Sequence, residues 1–326
     1  MLLALAAILF GLVLLVWSAD KFVDASVSVA NYFGISQLII GMVIVGFGTS
    51  APEFCVSAIS SFQGSSGIAL GNAFGSNIAN IGLILGFSAI ISPIIFKSSI
   101  LKKELPFLLG VSVLSIFLLR DLNLSRIDAF VLLAVFAFFL GWSFYQAKKN
   151  KKDILAKQVK NDFAVQKKQI HLKKEIFFLV LGLVLLIVSS RFLVWGAVTI
   201  AELFGVSDLV IGLTIVAVGT SLPELASSIM AIRKKQDDLA VGNILGSNVF
   251  NTLAVVGLAG MISPLTAAKE VFSRDLPVMI AFTCSLFIFG YGFKKRPGSI
   301  NRIEGSIMLL GFVAYTIYLI VTSSPV

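Results

Sequence analysis

The stretch GISQLIIGMVIVGFGTSAPE at residues 34–53 returns as GVSDLVIGLTIVAVGTSLPE at 205–224, and ALGNAFGSNIAN at 69–80 returns as AVGNILGSNVFN at 240–251. Every matched position is displaced by 171 residues, so no insertion separates the copies through this region. Ser92-Pro93 and Ser263-Pro264 keep the same spacing. The chain reads as two copies of one unit, and a repeat on this scale governs the fold.

The setting of the repeats is apolar. Of 326 residues, 57% are hydrophobic and only 13% charged, against about 25% charged in soluble domains; the mean hydropathy is +0.98. No water-soluble fold covers that much apolar surface with so little polar surface. Apolar runs at 2–18, 35–60, 68–94, 104–119, 127–146, 175–195, 207–232, 239–266, 276–293 and 303–322 approach the roughly 20 residues that cross a hydrocarbon core of about 30 Å. The first has no basic start and no small-residue cleavage site, so it reads as a span and not a removed leader. The expected fold is an all-α membrane protein of ten transmembrane helices. Residues 1–146 form a first five-helix repeat, 147–174 a lysine-rich linker, and 175–326 the second repeat. Five is odd, so the second copy enters the membrane from the opposite side. Inverted repeats with a site near mid-bilayer are a secondary-transporter architecture.

Charge distribution orients the chain. The linker carries ten lysines; placing it in the cytoplasm puts 21 of the 26 lysines and arginines on that side and both termini outside. The positive-inside rule therefore accounts for the net charge of +9 without a nucleic-acid partner. Two cysteines, Cys55 and Cys284, exclude a disulfide scaffold, and the single histidine, His171, lies in the linker as a solvated side chain. Trp17, Trp142 and Trp195 sit at span ends, as interfacial anchors do. Asp20 and Asp24, just past the first run, read as loop residues.

Of seventeen acidic residues, only Glu53 and Glu224 lie well inside a span, at equivalent places in the two copies. An ionised side chain at bilayer depth costs at least about 2.5–3.5 kcal/mol and marks a functional site by default. Thr49, Ser50 and Ser57 share a helix face with Glu53, and Thr220, Ser221 and Ser228 repeat that pattern around Glu224. In the following spans Asn72, Ser76 and Asn80 run at i, i+4, i+8, as do Asn243, Ser247 and Asn251. Part of this polarity is packing glue between helices, helped by Gly71/Gly75 and Gly242/Gly246. Pro52 and Pro223 lack an amide hydrogen, so each leaves a carbonyl one turn back without its helical donor. In lipid such backbone must be satisfied elsewhere or line a cavity, which predicts a kinked or unwound helix beside each glutamate.

The donors are hard oxygens: two carboxylates, hydroxyls, amides and loosened carbonyls. Zinc and copper prefer nitrogen or sulfur. Two carboxylates balance one divalent cation, and calcium accepts six to eight oxygens in flexible geometry where magnesium demands an octahedron. Without calcium the two buried charges need replacement cations, sodium ions or protons, and mutually exclusive occupancy is antiport. No cofactor is called for beyond the transported ions. An intramembrane hydrolase using the glutamates as an acid/base pair lacks an obvious oxyanion or substrate-gating motif, and a passive cation channel would show itself by fast flux independent of a counter-ion. Sodium coupling is preferred over proton coupling because hydroxyls flank both glutamates.

GTSAPE with GNAFGSNIAN, and GTSLPE with GNILGSNVFN, resemble the two alpha-repeats of the cation/calcium antiporter superfamily, most closely its ten-helix prokaryotic sodium/calcium exchangers. The resemblance implies alternating access, with spans one and six sliding across a core that holds the ions. It implies that Glu53 and Glu224 bind calcium and sodium, that Thr49 and Thr220 offer backbone oxygens, and that Ser50, Ser76, Ser221 and Ser247 give sodium-site hydroxyls. Gly46 and Ala217 would supply upstream carbonyls, and Asn80 an amide. Asn251 stands where some relatives carry an aspartate tied to potassium use, so this chain resembles the potassium-independent type. The implied setting is a prokaryotic cell membrane, with calcium, sodium and the lipid bilayer as partners and a monomer sufficient for transport.

Overall fold

The computed structural model describes residues 1–96, 103–160, 171–204, 217–290 and 298–323. Each of the ten expected spans holds helix. In chain order these are α1 (Leu2–Phe33), a bent pair α2 (Gln37–Thr49) and α3 (Ala51–Phe62), α4 (Ser66–Ile91), α5 (Leu105–Leu118) and α6 (Arg126–Lys160). The second half supplies α7 (Leu172–Leu203), α8 (Ala217–Thr220) with α9 (Leu222–Arg233), α10 (Asp237–Ile262), α11 (Leu276–Gly290) and α12 (Arg302–Ser323). Among the described residues seven helices are long and apolar enough to cross a bilayer, and the bent pair makes an eighth. Residues 207–216 of the seventh expected span, 291–293 of the ninth and 161–170 of the linker lie outside the described residues. The first part of the linker continues α6 as far as Lys160.

Spans one and six exceed their expected limits. Each is a 32-residue helix, about 48 Å at 1.5 Å per residue, where the apolar runs stop at 18 and 195. Asp20 and Asp24 are therefore helical and not loop residues. Backbone hydrogen bonding does not require an apolar side chain, and these carboxylates find a partner. Lys234, just past α9, places its Nζ 2.6 Å from Asp20 Oδ1 and 2.7 Å from Asp24 Oδ1. α1 ends at Gly34, whose φ of 65° returns its N–H to Ala30 and Asn31, a left-handed conformation that suits glycine.

The layering follows from burial. Among the seven long apolar helices of the described residues α4 and α10 are the most enclosed: 72% and 83% of their apolar stretches are buried, against 28% and 22% for α1 and α7. Exposed Leu9, Phe10 and Val13 on α1, Phe177 and Val180 on α7, and Leu310 and Ile317 on α12 form the outer surface, an apolar exterior suited to lipid. α1 and α7 pack along one another, while α10 packs against α2 and α12 against α4. Two short ribbons clip the halves together: β1 (Ile94–Phe96) pairs antiparallel with β4 (Gly298–Ile300), and β2 (Asn123–Leu124) with β3 (Leu265–Thr266).

The proline prediction holds. α2 and α3 meet at a bend of 47°, with Ser50 at φ −81°, ψ 10° between them and Pro52 in the first turn of α3. Ser221, at φ −89°, ψ 9°, stands in the same relation to Pro223 and α9. Wider π-helical turns occur at Gly41–Val45, Asn80–Leu85 and Asn251–Val255. Such turns carry an extra residue and often mark functional sites; here two of them begin on the asparagines singled out by the repeat.

Candidate functional site

Breaking the helix at Ser50 and Ser221 starts a new helix with a glutamate in its first turn, so Glu53 and Glu224 are held at the amino ends of α3 and α9. A helix amino terminus favours negative charge. Both side chains are buried. They belong to one cluster because each is bonded by a serine of the other half. Ser50 Oγ donates to Glu224 Oε1 at 2.8 Å, and Ser221 Oγ donates to Glu53 Oε1 at 3.1 Å. Ser76 Oγ, from α4, reaches the same Glu53 oxygen at 3.4 Å.

The second oxygen of each carboxylate, Oε2, is buried without a hydrogen-bond partner, as are Asn80 Oδ1, Asn77 Oδ1 and both amide atoms of Asn251. Burying a polar atom unpaired is costly. A cluster in which nearly all the unpaired atoms are acceptors is one a cation would satisfy. The donor set is oxygen only, which fits calcium or sodium and not a thiophilic metal.

Other predicted residues are placed as follows. Thr49 is buried; the single hydrogen of its hydroxyl is shared between the carbonyl of Val45 at 3.0 Å and Asn243 Oδ1 at 3.2 Å. Ser247 Oγ donates to the carbonyl of Gly46 at 3.1 Å, joining α10 to α2. Gly46 allows that approach: a Cβ there would lie 2.8 Å from both Asn243 O and Ser247 N. Thr220 closes α8, which Ala217 opens, and its side chain is buried. Asn80 and Asn251 are buried on α4 and α10.

The first asparagines of the i, i+4, i+8 series do something else. Asn72 Nδ2 donates to the backbone oxygen of Glu53 at 3.0 Å and to Ser57 Oγ at 2.8 Å. Asn243 Nδ2 shares its two hydrogens among the backbone oxygen of Glu224 at 3.3 Å, Ser227 Oγ at 3.0 Å and Ser228 Oγ at 2.8 Å. They hold the glutamate backbones and leave the carboxylates free. Packing glue and carboxylate partners are therefore different members of the same polar stripe. Asn77, Asn248 and Thr252 escape a search by helix face: they lie one position off the i, i+4 face, although the duplicated Gly-Ser-Asn triplet is a signal for the two asparagines.

Comparison with known proteins identifies the family. The profile of the family described as "Sodium/calcium exchanger protein" matches residues 3–145 and 174–321. The chain belongs to the sodium/calcium exchanger protein family. It is 45% identical over 329 residues to the "Putative antiporter CaxA" of Alkalimonas amylolytica, covering 99% of this chain and 100% of that one. It is 35% identical over 343 residues to the "Sodium/calcium exchanger MaX1" of Methanosarcina acetivorans, covering 96% and 97%. In three dimensions it is similar to the sodium-calcium exchanger NCX_Mj soaked with 10 mM sodium and no calcium: the TM-score is 0.82 at 32% identity, over 98% of this chain and 99% of that one. As a member of the exchanger family this chain is a multi-pass membrane transporter and not an enzyme.

Proposed function

We propose that the chain exchanges sodium for calcium across a prokaryotic cell membrane by alternating access, with both termini outside and the 147–174 linker in the cytoplasm. The two halves are 1–146 and 175–326, and the ion site lies between them. The observation that carries this reading is the crossed serine pairing, which leaves one unpartnered oxygen on each of two buried carboxylates. Glu53 and Glu224 carry the ion charge. Ser50, Ser221, Ser76, Asn80, Asn251 and the hydroxyl or backbone oxygens of Thr49, Thr220, Ser247, Gly46 and Ala217 complete the oxygen set. When calcium leaves, the paired negative charges cannot stay bare in low dielectric, and in this reading sodium ions replace it.

The moving part in this reading is the α1–α7 pair. Its interface with α8 and α9 is a cleft of about 480 Å³ lined by Leu12, Leu15, Leu193, Val218, Leu225 and Ile229 among others. Apolar packing is non-directional, so the apolar part of this surface permits sliding, while Lys234 with Asp20 and Asp24 makes a specific contact between α1 and the end of α9.

Sodium-loaded vesicles containing the protein should take up labelled calcium on dilution into choline, and Glu53→Gln or Glu224→Gln should abolish that uptake. Uptake that ignores the sodium gradient and follows pH would replace sodium coupling with proton coupling. Calcium flux that needs no counter-ion would replace exchange altogether.

A further inference from the structure

Beside the glutamates lies a set of buried amides with directional logic of its own. Asn248 Nδ2 donates to the main-chain carbonyl of Asn77 at 3.4 Å. A carbonyl can only accept, so the nitrogen end of the Asn248 amide faces Asn77 and its oxygen end is turned away. That oxygen accepts from Asn80 Nδ2 at 2.9 Å. The nitrogen of Asn80 is thereby committed, and its Oδ1 is the end left buried and unpaired.

We propose that Asn248 is a positioning residue that sets the flip of the Asn80 amide, so that an oxygen and not an NH2 group meets the transported cation. The proposal rests on the reading of Asn80 as an ion ligand. An amide has nearly the same shape either way round, so packing alone cannot choose its orientation. A cation distinguishes the two ends sharply, attracting the oxygen and repelling the donor hydrogens. The choice must therefore come from a fixed acceptor behind the amide, and the chain Asn77 O, Asn248, Asn80 supplies one across the two halves.

The other half lacks this device. The repeat pairs Asn248 with Asn77 and Asn80 with Asn251, so the matching bond would join Asn251 Nδ2 to Asn77 Oδ1. Both of those atoms are unpaired. Asn77 Nδ2 instead donates to Thr252 Oγ1 at 2.7 Å, and the position equivalent to Thr252 is Ile81, which has no side-chain acceptor. One amide of the site is set and its counterpart is free to present either end.

The test is sodium-driven calcium uptake at varied external calcium, in vesicles holding the full chain. Asn248→Ala should raise KM for calcium about tenfold, equivalent to about 1.4 kcal/mol, with kcat nearly unchanged. In an Asn80→Asp background no flip needs setting and the carboxylate meets the Asn248 oxygen acceptor against acceptor, so adding Asn248→Ala should not raise KM there. Asn248→Asp, which keeps the shape and the acceptor for Asn80, should not raise KM and serves where the alanine variant fails to fold. Equal effects of Asn248→Ala in both backgrounds, or a KM rise in Asn248→Asp matching that of alanine, would overturn the proposal. Asn80→Ala separates the two levels: an unchanged KM removes Asn80 from the site and the proposal with it. A raised KM in Asn80→Ala beside an unchanged one in Asn248→Ala removes only the positioning role.

Discussion

Ser50 Oγ lies 2.8 Å from Glu224 Oε1, a bond that crosses from the break in the first half's bent helix to the carboxylate of the second. Its counterpart from Ser221 to Glu53 is longer, at 3.1 Å, and shares its acceptor with Ser76. Hydrogen bonds to an ionised acceptor strengthen as they shorten and are worth about 1.5–3 kcal/mol. Ser50→Ala should therefore weaken sodium-driven calcium uptake by about tenfold or more, and by more than Ser221→Ala does. Uptake measured at fixed calcium over a sodium series checks the order of the two variants.

Asn72 and Asn243 hold the backbones of Glu53 and Glu224, but Asn243 does more. Its two amide hydrogens are shared among three acceptors, and its oxygen lies within reach of the Thr49 hydroxyl. Asn243→Ala should lower thermal stability in detergent more than Asn72→Ala, by about 1–3 kcal/mol for lost buried bonds. Thermal unfolding of the two purified variants is the measurement. An equal loss would mean the additional bonds contribute nothing.

Gly46 sits where α2 and α10 touch backbone to backbone. Gly46→Ala introduces a methyl group 2.8 Å from two main-chain atoms that cannot move independently. The helices must separate, at about 1–3 kcal/mol for an overpacked core, and the Ser247 bond to the Gly46 carbonyl is lost with them. Calcium uptake should fall to background while the protein still reaches the membrane, as assayed by uptake and by immunoblot of membrane fractions.

Lys234 ties α1 to the end of α9 through Asp20 and Asp24, next to Arg233, which lines the cleft between these helices. In the repeat, Asp20 corresponds to Arg191 and Lys234 to Gln63, so the equivalent pair in the other half has no opposite charges. A partly exposed ion pair is worth about 0.2–1 kcal/mol. The proposed sliding of α1 would break it, so Lys234→Gln should raise turnover by about two- to fivefold and leave KM for calcium unchanged. A changed KM with unchanged turnover would place Lys234 in ion binding instead.

The duplication, the ten apolar runs, the two embedded glutamates and the prolines that bend their helices are all legible in the order of the amino acids, because each is a local departure from a uniform background. A charge in a hydrocarbon-length run, or a proline four residues after a carbonyl, has a physical consequence wherever the chain goes. The helical limits of α1 and α7 are not legible in the same way. Hydropathy reports where lipid ends, whereas a helix continues as long as its backbone bonds do, and Asp20 and Asp24 remain in it beside Lys234.

What the amino-acid order determined by itself is the inventory: which oxygens lie at bilayer depth, and that they come in two matched sets of opposite orientation. What only the folded chain decided is the pairing across those sets. Ser50 serves Glu224 and not Glu53 three residues away, Asn72 and Asn243 turn to backbone, and Asn248 reaches Asn80. A hydrogen bond is chosen by distance and direction in space, and residues some 170 apart in sequence become neighbours only when the two halves meet.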